Sequence, residues 1–556
     1  MWRILLLALL GPALPAVFAQ MNMPGHVMEM QDEIPPDKLP PPIRIAGVGN
    51  AHITITASPE AQIWFDQGLN LLHDFWDYES ARAFEQGVRV DPQCAMCYWG
   101  LYKAESFYHS TAQGLAKHAL AQAVALKEHV TERERLYIDA AAAHNPHELL
   151  RKLVDAYPKD LQARIFLANA GGKDSLAMLE AVLRDDPENS AANHYYIHSL
   201  EATDHPEKAL HSAEILGRLA PASGHMVHMP GHIYFRLGDY ARAAQAFAAS
   251  MAVDERYMRE QHVDPDNDWN YVHNLMYAVA NLLEQGKLEE ATNLSARISG
   301  ARGKLESTLY ITTARDSISR LDPRLPVALR TADFDRILKL ATAAAVHPGL
   351  PNLEFLRQRL VDFASGMQAV AAGDLSTAGQ ASTRLDAELW RISQRPKDPP
   401  PMPGMTPSQP PKLVVMPDAQ LDPLLKTLAI MSLELRGTLL AAQGKAVDSG
   451  ALFADAAKAE KALGYREPPN YIRPVGETEG AAMLAARNWT EAKAAFARAL
   501  VERPHSGFAL YGIALAAEQS GDRAAARKAF TDFLSAWKDA DPDLPQLAHA
   551  RAATGR

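Results

Sequence analysis

Apolar residues along this chain fall in blocks the length of a short helix, broken by Gly or Pro, and the alternating runs that mark strands are nearly absent. The blocks come in pairs with a recurring phrase. Near the C-terminal end, Asn488-Trp489-Thr490-Glu491-Ala492 leads to Phe496 and then Pro504; 34 residues on, Asp522-Arg523-Ala524-Ala525-Ala526 leads to Phe530. The same phrase occurs as Asp77-Tyr78-Glu79-Ser80-Ala81 before Phe84 and Asp91-Pro92, and as Gly238-Asp239-Tyr240-Ala241-Arg242-Ala243 before Phe247. A small residue or Gly ends the first helix of each pair. A small Ala lets the second helix approach it, an aromatic fills the gap, and a Pro stops the second helix.

This period and phrasing resemble the tetratricopeptide repeat (TPR). They predict an all-α fold: an α-solenoid of helix pairs wound into a right-handed superhelix, each repeat touching mainly its neighbours. Degenerate copies begin near Cys94, Glu132, Leu161, Ala191, Trp269, Phe355, Pro423 and Tyr471. The expected organisation is a signal peptide at 1–19, an extended Met- and Pro-rich tail at 20–58, and an N-terminal array at 59–302. Degenerate helical repeats follow at 303–393, then a Pro-rich linker at 394–420 and C-terminal repeats at 421–556. The linker reading rests on nine prolines between Gln394 and Asp418, which favour a semi-rigid, protease-sensitive stretch.

Composition narrows the function classes. With 47% hydrophobic and 22% charged residues the chain is a folded protein, and its net charge of −10 with no basic stripe argues against nucleic-acid binding. Met1 to Ala19 has Arg3, an apolar run from Ile4 to Leu10, and Val17-Phe18-Ala19 as a cleavage pattern. The expectation is an exported protein, periplasmic or secreted, with no integral membrane segment once the signal is cleaved. The two cysteines form Cys94-Ala95-Met96-Cys97. No thioredoxin-like pattern surrounds them and Tyr98 follows in place of a haem-attachment His, so a local disulfide or two buried thiols are expected. Walker A, His-Glu-x-x-His and Gly-x-Ser-x-Gly motifs are missing.

Histidine carries the candidate chemistry. Nine of the 20 histidines lie between His194 and His273. In Asn193-His194-Tyr195-Tyr196-Ile197-His198-Ser199-Leu200-Glu201, the two histidines stand four apart on one helix face, with Glu201 next on the same stripe. In Gly224-His225-Met226-Val227-His228-Met229-Pro230-Gly231-His232-Ile233-Tyr234, three histidines flank a proline that should bend its helix. Tyr271-Val272-His273-Asn274 opens the next repeat. Equivalent helices of a solenoid stack, so these fragments can converge. That makes His194, His198, His225, His228, His232 and His273 candidate ligands for copper or zinc. Glu201 is a candidate general base for metal-activated water, and Tyr195, Tyr234 and Asn274 are candidates to orient imidazoles or touch a substrate. Four methionines and His26 in the tail segment Gln20–Met30 also suit copper.

Several phrases resemble a bacterial family of exported TPR proteins with His-rich motifs: Gln67-Gly68-Leu69, Asp91-Pro92 through Gly100, Asn193 to Glu201, Gly224 to Tyr234, and Glu467-Pro468-Pro469 before Pro474-Val475. The resemblance spans most of residues 60–540 and implies the fold and the place of the site; it brings no established activity. This chain departs from the family pattern at Met276, where a second His is common, and at Tyr471-Ile472-Arg473. Two functions follow. One is a scaffold holding a protein or peptide in the concave groove of the solenoid. The other is a metal-binding protein or metalloenzyme with its histidine cluster in that groove.

Overall fold

The computed structural model describes residues 41–108, 113–265, 268–299, 314–394, 418, 421–469 and 471–555. Among the described residues all regular structure is helical, with no strand. Consecutive helices pack against one another from Pro59–His73 and Asp77–Val90 through to Arg523–Ala536 and Pro545–Thr554. The chain is an all-α solenoid of TPR-like helix pairs. No described helix is long and apolar enough to cross a membrane.

The recurring phrase has a direct physical reading. Except at Asp77, which is the first residue of its helix, the opening Asp or Asn is the N-cap of the second helix: Asp239, Asp374, Asn488 and Asp522 each accept the amide three residues on, a bond of about 1 kcal/mol per cap. Its aromatic is clamped between glycines of flanking helices. A Cβ on Gly68 or Gly100 would lie 2.9 or 2.2 Å from the Phe84 ring, and one on Gly480 or Gly512 would lie 2.7 or 2.4 Å from the Phe496 ring. Glycine at these sites lets helix and ring touch.

The segment 41–57 is extended, yet it is packed rather than loose: Val48, Ala51, Ile53 and Ile55 are buried. Asn70 bonds both the N–H and the C=O of Ala51, at 2.8 and 2.9 Å. Asn50 Oδ1 accepts from the backbone of Ser190 at 2.9 Å. Residues 314–393 form helices that share one apolar core with the C-terminal repeats, joining Leu360, Phe363 and Met367 to Leu424, Leu428 and Leu435. The core therefore runs across the Pro-rich stretch. Of that stretch only Gln394 and Asp418 are described, and Asp418 accepts from the amides of Asn352 and Leu353 at 2.6 and 2.9 Å. The signal peptide, the Met-rich segment and residues 300–313 lie outside the described residues. Cys94 and Cys97 are joined by a disulfide, both buried.

The last repeats fold back on the helix Trp269–Glu284. Trp537 Nε1 donates to the Glu284 carbonyl at 2.9 Å, and Tyr240 Oη donates to the Pro504 carbonyl at 2.7 Å. Between them Arg330, 2% exposed, pairs with Glu284 at 2.8 Å and Glu477 at 2.5 Å. This closure brings the loop after Ala446–Ala462 against a helix residue 264 positions earlier, Glu201.

Farther along that shared core sits a carboxyl with the opposite charge preference. Burial pushes Glu434 from 4.5 up to about 7, against the Tyr471 hydroxyl that donates to it. A carboxyl neutral in the fold but ionised when unfolded costs stability as pH rises from 4.5 to about 7. Glu434→Gln should therefore be more stable than the wild type at pH 8 and equal to it near pH 4. Urea midpoints at the two pH values check this, and an equal effect at both would contradict it.

Candidate metal centre

Three helices meet at the site. The first, Ser190–Glu201, starts at the N-cap Asn189 and carries His194, His198 and Glu201. The second is Gly224–His228, capped by Ser223, and it runs through Met229 into Pro230–Arg236. Pro230 has no N–H to donate, and the turn tightens so that the His232 amide donates to the Met229 carbonyl at 3.1 Å. The third, Trp269–Glu284, supplies Asn270, His273, Asn274 and Tyr277. Close approach depends on Gly224, where a Cβ would fall 1.7 Å from Asp254 Oδ1 and 2.9 Å from Asn270 Nδ2.

All six candidate histidines come together. Their ligand atoms form two groups, His194/His198/His225 and His228/His232/His273, and within each group these atoms lie within 4.8 Å of one another. Glu201 with Glu467 and His198 makes a third group of the same tightness. The cluster is interior: His194, His228, His232 and Glu201 are each 0% exposed. It is roofed by a chain segment from the far end of the solenoid. Glu467 Oε2 stands 3.4 Å from His232 Nδ1 and 3.6 Å from His273 Nε2, and Tyr465 Oη lies 3.5 Å from Glu201 Oε2.

Five imidazoles have a fixed tautomer once Glu201 is ionised, because their Nδ1 then faces an oxygen that can only accept. His194 Nδ1 meets the His73 carbonyl at 2.7 Å. His198 and His232 Nδ1 meet the two oxygens of Glu201 at 2.7 and 2.5 Å. His225 Nδ1 meets Asn270 Oδ1 at 3.3 Å, and His228 Nδ1 meets Asn274 Oδ1 at 2.7 Å. The amide orientations are themselves set, since Asn270 Nδ2 donates to Asp254 and Asn274 Nδ2 donates to the Phe247 carbonyl, both at 2.8 Å. Each Nδ1 thus carries the proton, and each Nε2 presents a lone pair.

Those lone pairs face one another. Nε2 of His228 and Nε2 of His232 are 2.6 Å apart, and those of His194 and His225 are 3.1 Å apart. His198 Nε2 is buried without a hydrogen-bond partner. Protonation is an expensive remedy here. Burial, followed by the neighbouring imidazoles, holds His194, His225, His228 and His232 well below the ordinary 6.5. Burial lowers His198 too, and lifts Glu201 to about 8 despite contacts from Glu467 and Tyr465.

The other sequence candidates are placed as follows. Asn274 orients His228, as above. Tyr195 stacks on His194, ring centres 5.3 Å apart, and its hydroxyl bonds His73 Nδ1 at 3.1 Å. Tyr234 is turned elsewhere, its ring 4.4 Å beneath the Arg242 guanidinium. Glu201 has both oxygens engaged by imidazoles, those of His198 and His232. Sequence reading missed Asn270, Phe75, Tyr277, Tyr465 and the part played by Glu467. Phe75, in the left-handed region at φ 59°, lies under His194, His198 and His225 at 4.8, 5.4 and 5.5 Å. Asn270 and Tyr277 had a local signal, standing four before Asn274 and four after His273 on the same helix.

No protein-family model matches the chain, and no curated protein does. Among solved structures it is similar to yeast Tom70, at 13% identity over 89% of this chain and 96% of that one, with a TM-score of 0.29. It is also similar to the APC/C hetero-tetramer Cut9–Hcn1, at 12% identity over 89% of this chain and 76% of that one, with a TM-score of 0.23.

Proposed function

We propose that this chain is an exported helical-repeat protein whose interior holds a transition-metal centre on His194, His198, His225, His228, His232 and His273. The observation that carries the reading is the confrontation of unprotonated Nε2 atoms, 2.6 Å apart in His228 and His232. Two lone pairs at that distance repel unless a cation lies with them, and two ligands about 2.0–2.1 Å from one ion subtend roughly 80–100° when separated by 2.6–3.1 Å. Nδ1–H to carboxylate, amide or backbone oxygen is also how proteins aim a ligating imidazole. All-imidazole ligation suits copper or zinc.

A partner-binding role, the usual use of helical repeats, would occupy other faces. Of the histidines, His194, His228 and His232 are 0% exposed, while the side chains of His198 and His273 keep 18% and 14%.

Replacing His198 and His232 together with Ala takes one ligand from each histidine group. Metal retained through purification should fall to background while far-UV circular dichroism stays unchanged. Loss of helicity in the variant, or full metal content, would contradict the proposal.

A further inference from the structure

The histidines divide in a way that a single ion does not require. His194 and His198 stand four apart on one helix, and His228 and His232 repeat that pair 34 residues later, the period of the helix pairs themselves. Each pair is completed by one histidine from the next helix to the same side: His225 joins the first and His273 the second. Ring centres within the first group are 4.7, 5.0 and 5.8 Å apart, and within the second 4.5, 4.9 and 6.0 Å. Across the groups the His225–His228 and His198–His232 distances are 6.1 and 6.3 Å. The solenoid has thus copied the histidine pair along its axis, and each copy meets one further imidazole: His225, two residues after the cap Ser223, or His273, five after the cap Asp268.

Between them lies Glu201, one oxygen on His198 of the first group and the other on His232 of the second. The carboxylates paired with the histidines are Glu201 and Glu467, which bring two negative charges when both are ionised. Six neutral imidazoles bring none. Two monovalent ions are balanced by that pair, whereas two divalent ions leave a surplus of positive charge in a buried site, where unpaired charge is most costly.

We propose that the cluster is a two-ion centre that takes a pair of copper(I) ions, one in each three-histidine group, with Glu201 bridging the groups through their Nδ1–H bonds. This rests on the metal reading above and adds the number, the placement and the kind of ion. It makes the two groups separable: each should hold its own ion when the other is destroyed.

The test is anaerobic titration of metal-stripped full-length protein with copper(I) against a chromophoric chelator, with the copper:chain ratio read after desalting. Two tight equivalents are expected. His194→Ala/His225→Ala and His228→Ala/His273→Ala should each keep one, with wild-type circular dichroism. One equivalent in the wild type overturns the two-ion centre and leaves a metal site standing; no tight equivalent overturns both. Zinc displacing copper(I) at equal concentration overturns the choice of ion. The wild-type ratio needs no variant to fold, so an unfolded variant does not shield the proposal.

Discussion

Arg330→Met should destabilise the protein by roughly 3–5 kcal/mol, the cost of removing one partner from a buried ion pair. Arg330 is 2% exposed and pairs with Glu284 and Glu477 from two distant parts of the chain. Its loss strands two buried carboxylates together. The effect has a pH signature. Burial acts to raise the Glu284 carboxyl, and Arg330 with Arg503 and Ser506 overcomes it, holding the group below 4.5. A depressed carboxylate contributes stability that is complete above its unfolded pKa and fades as pH falls through the folded one. Without Arg330 the burial of Glu284 is largely unopposed and raises its carboxyl in the variant, so the deficit of Arg330→Met should be largest at neutral pH and shrink toward pH 4. Urea melts across that range measure it. The triple variant Arg330→Met/Glu284→Gln/Glu477→Gln should recover most of the loss at pH 7, since it removes the stranded charges. A deficit independent of pH would mean that Arg330 acts through packing on Phe508, whose ring lies 4.1 Å from its guanidinium.

The second large effect is on metal affinity. Glu201→Gln should weaken metal binding about 10–100-fold, the usual consequence of losing a group that aims a ligand, without loss of fold. A carboxylate accepts from two imidazoles at once; an amide accepts with its oxygen and donates with its nitrogen. One of His198 and His232 would then face an N–H with its own Nδ1, and must move its proton to Nε2. That nitrogen ceases to be a ligand. Chelator competition on the purified variant reads the change, and unchanged affinity would show that the Glu201 contacts at 2.7 and 2.5 Å do not set the tautomers.

Most of this histidine cluster is legible in the sequence, because its members are local in sequence. His194 with His198 and His228 with His232 are four apart, so helical geometry alone puts each pair on one face. The repeat period then stacks those faces. What sequence could not supply came from nonlocal closure and from backbone. Glu467 and Tyr465 reach the histidines because the C-terminal repeats return to Gly286 and Glu284, through Asp541 and Trp537. No local pattern announces such a return. The His73 carbonyl that fixes His194 is backbone, and Phe75 arrives through a left-handed turn that a bulky side chain disfavours. The extended segment 41–57 looked like a free tail because alternating small apolar residues among prolines form no helix; its anchors, Asn70 and Ser190, belong to other helices.

The central claim is that these imidazoles face one another because they hold metal. Anomalous diffraction from crystals of the protein, recorded on both sides of the copper absorption edge after copper(I) loading, tests that claim most directly. Two anomalous peaks are expected, one among Nε2 of His194, His198 and His225 and one among those of His228, His232 and His273. No peak at either group, with copper found only elsewhere on the chain, would contradict it.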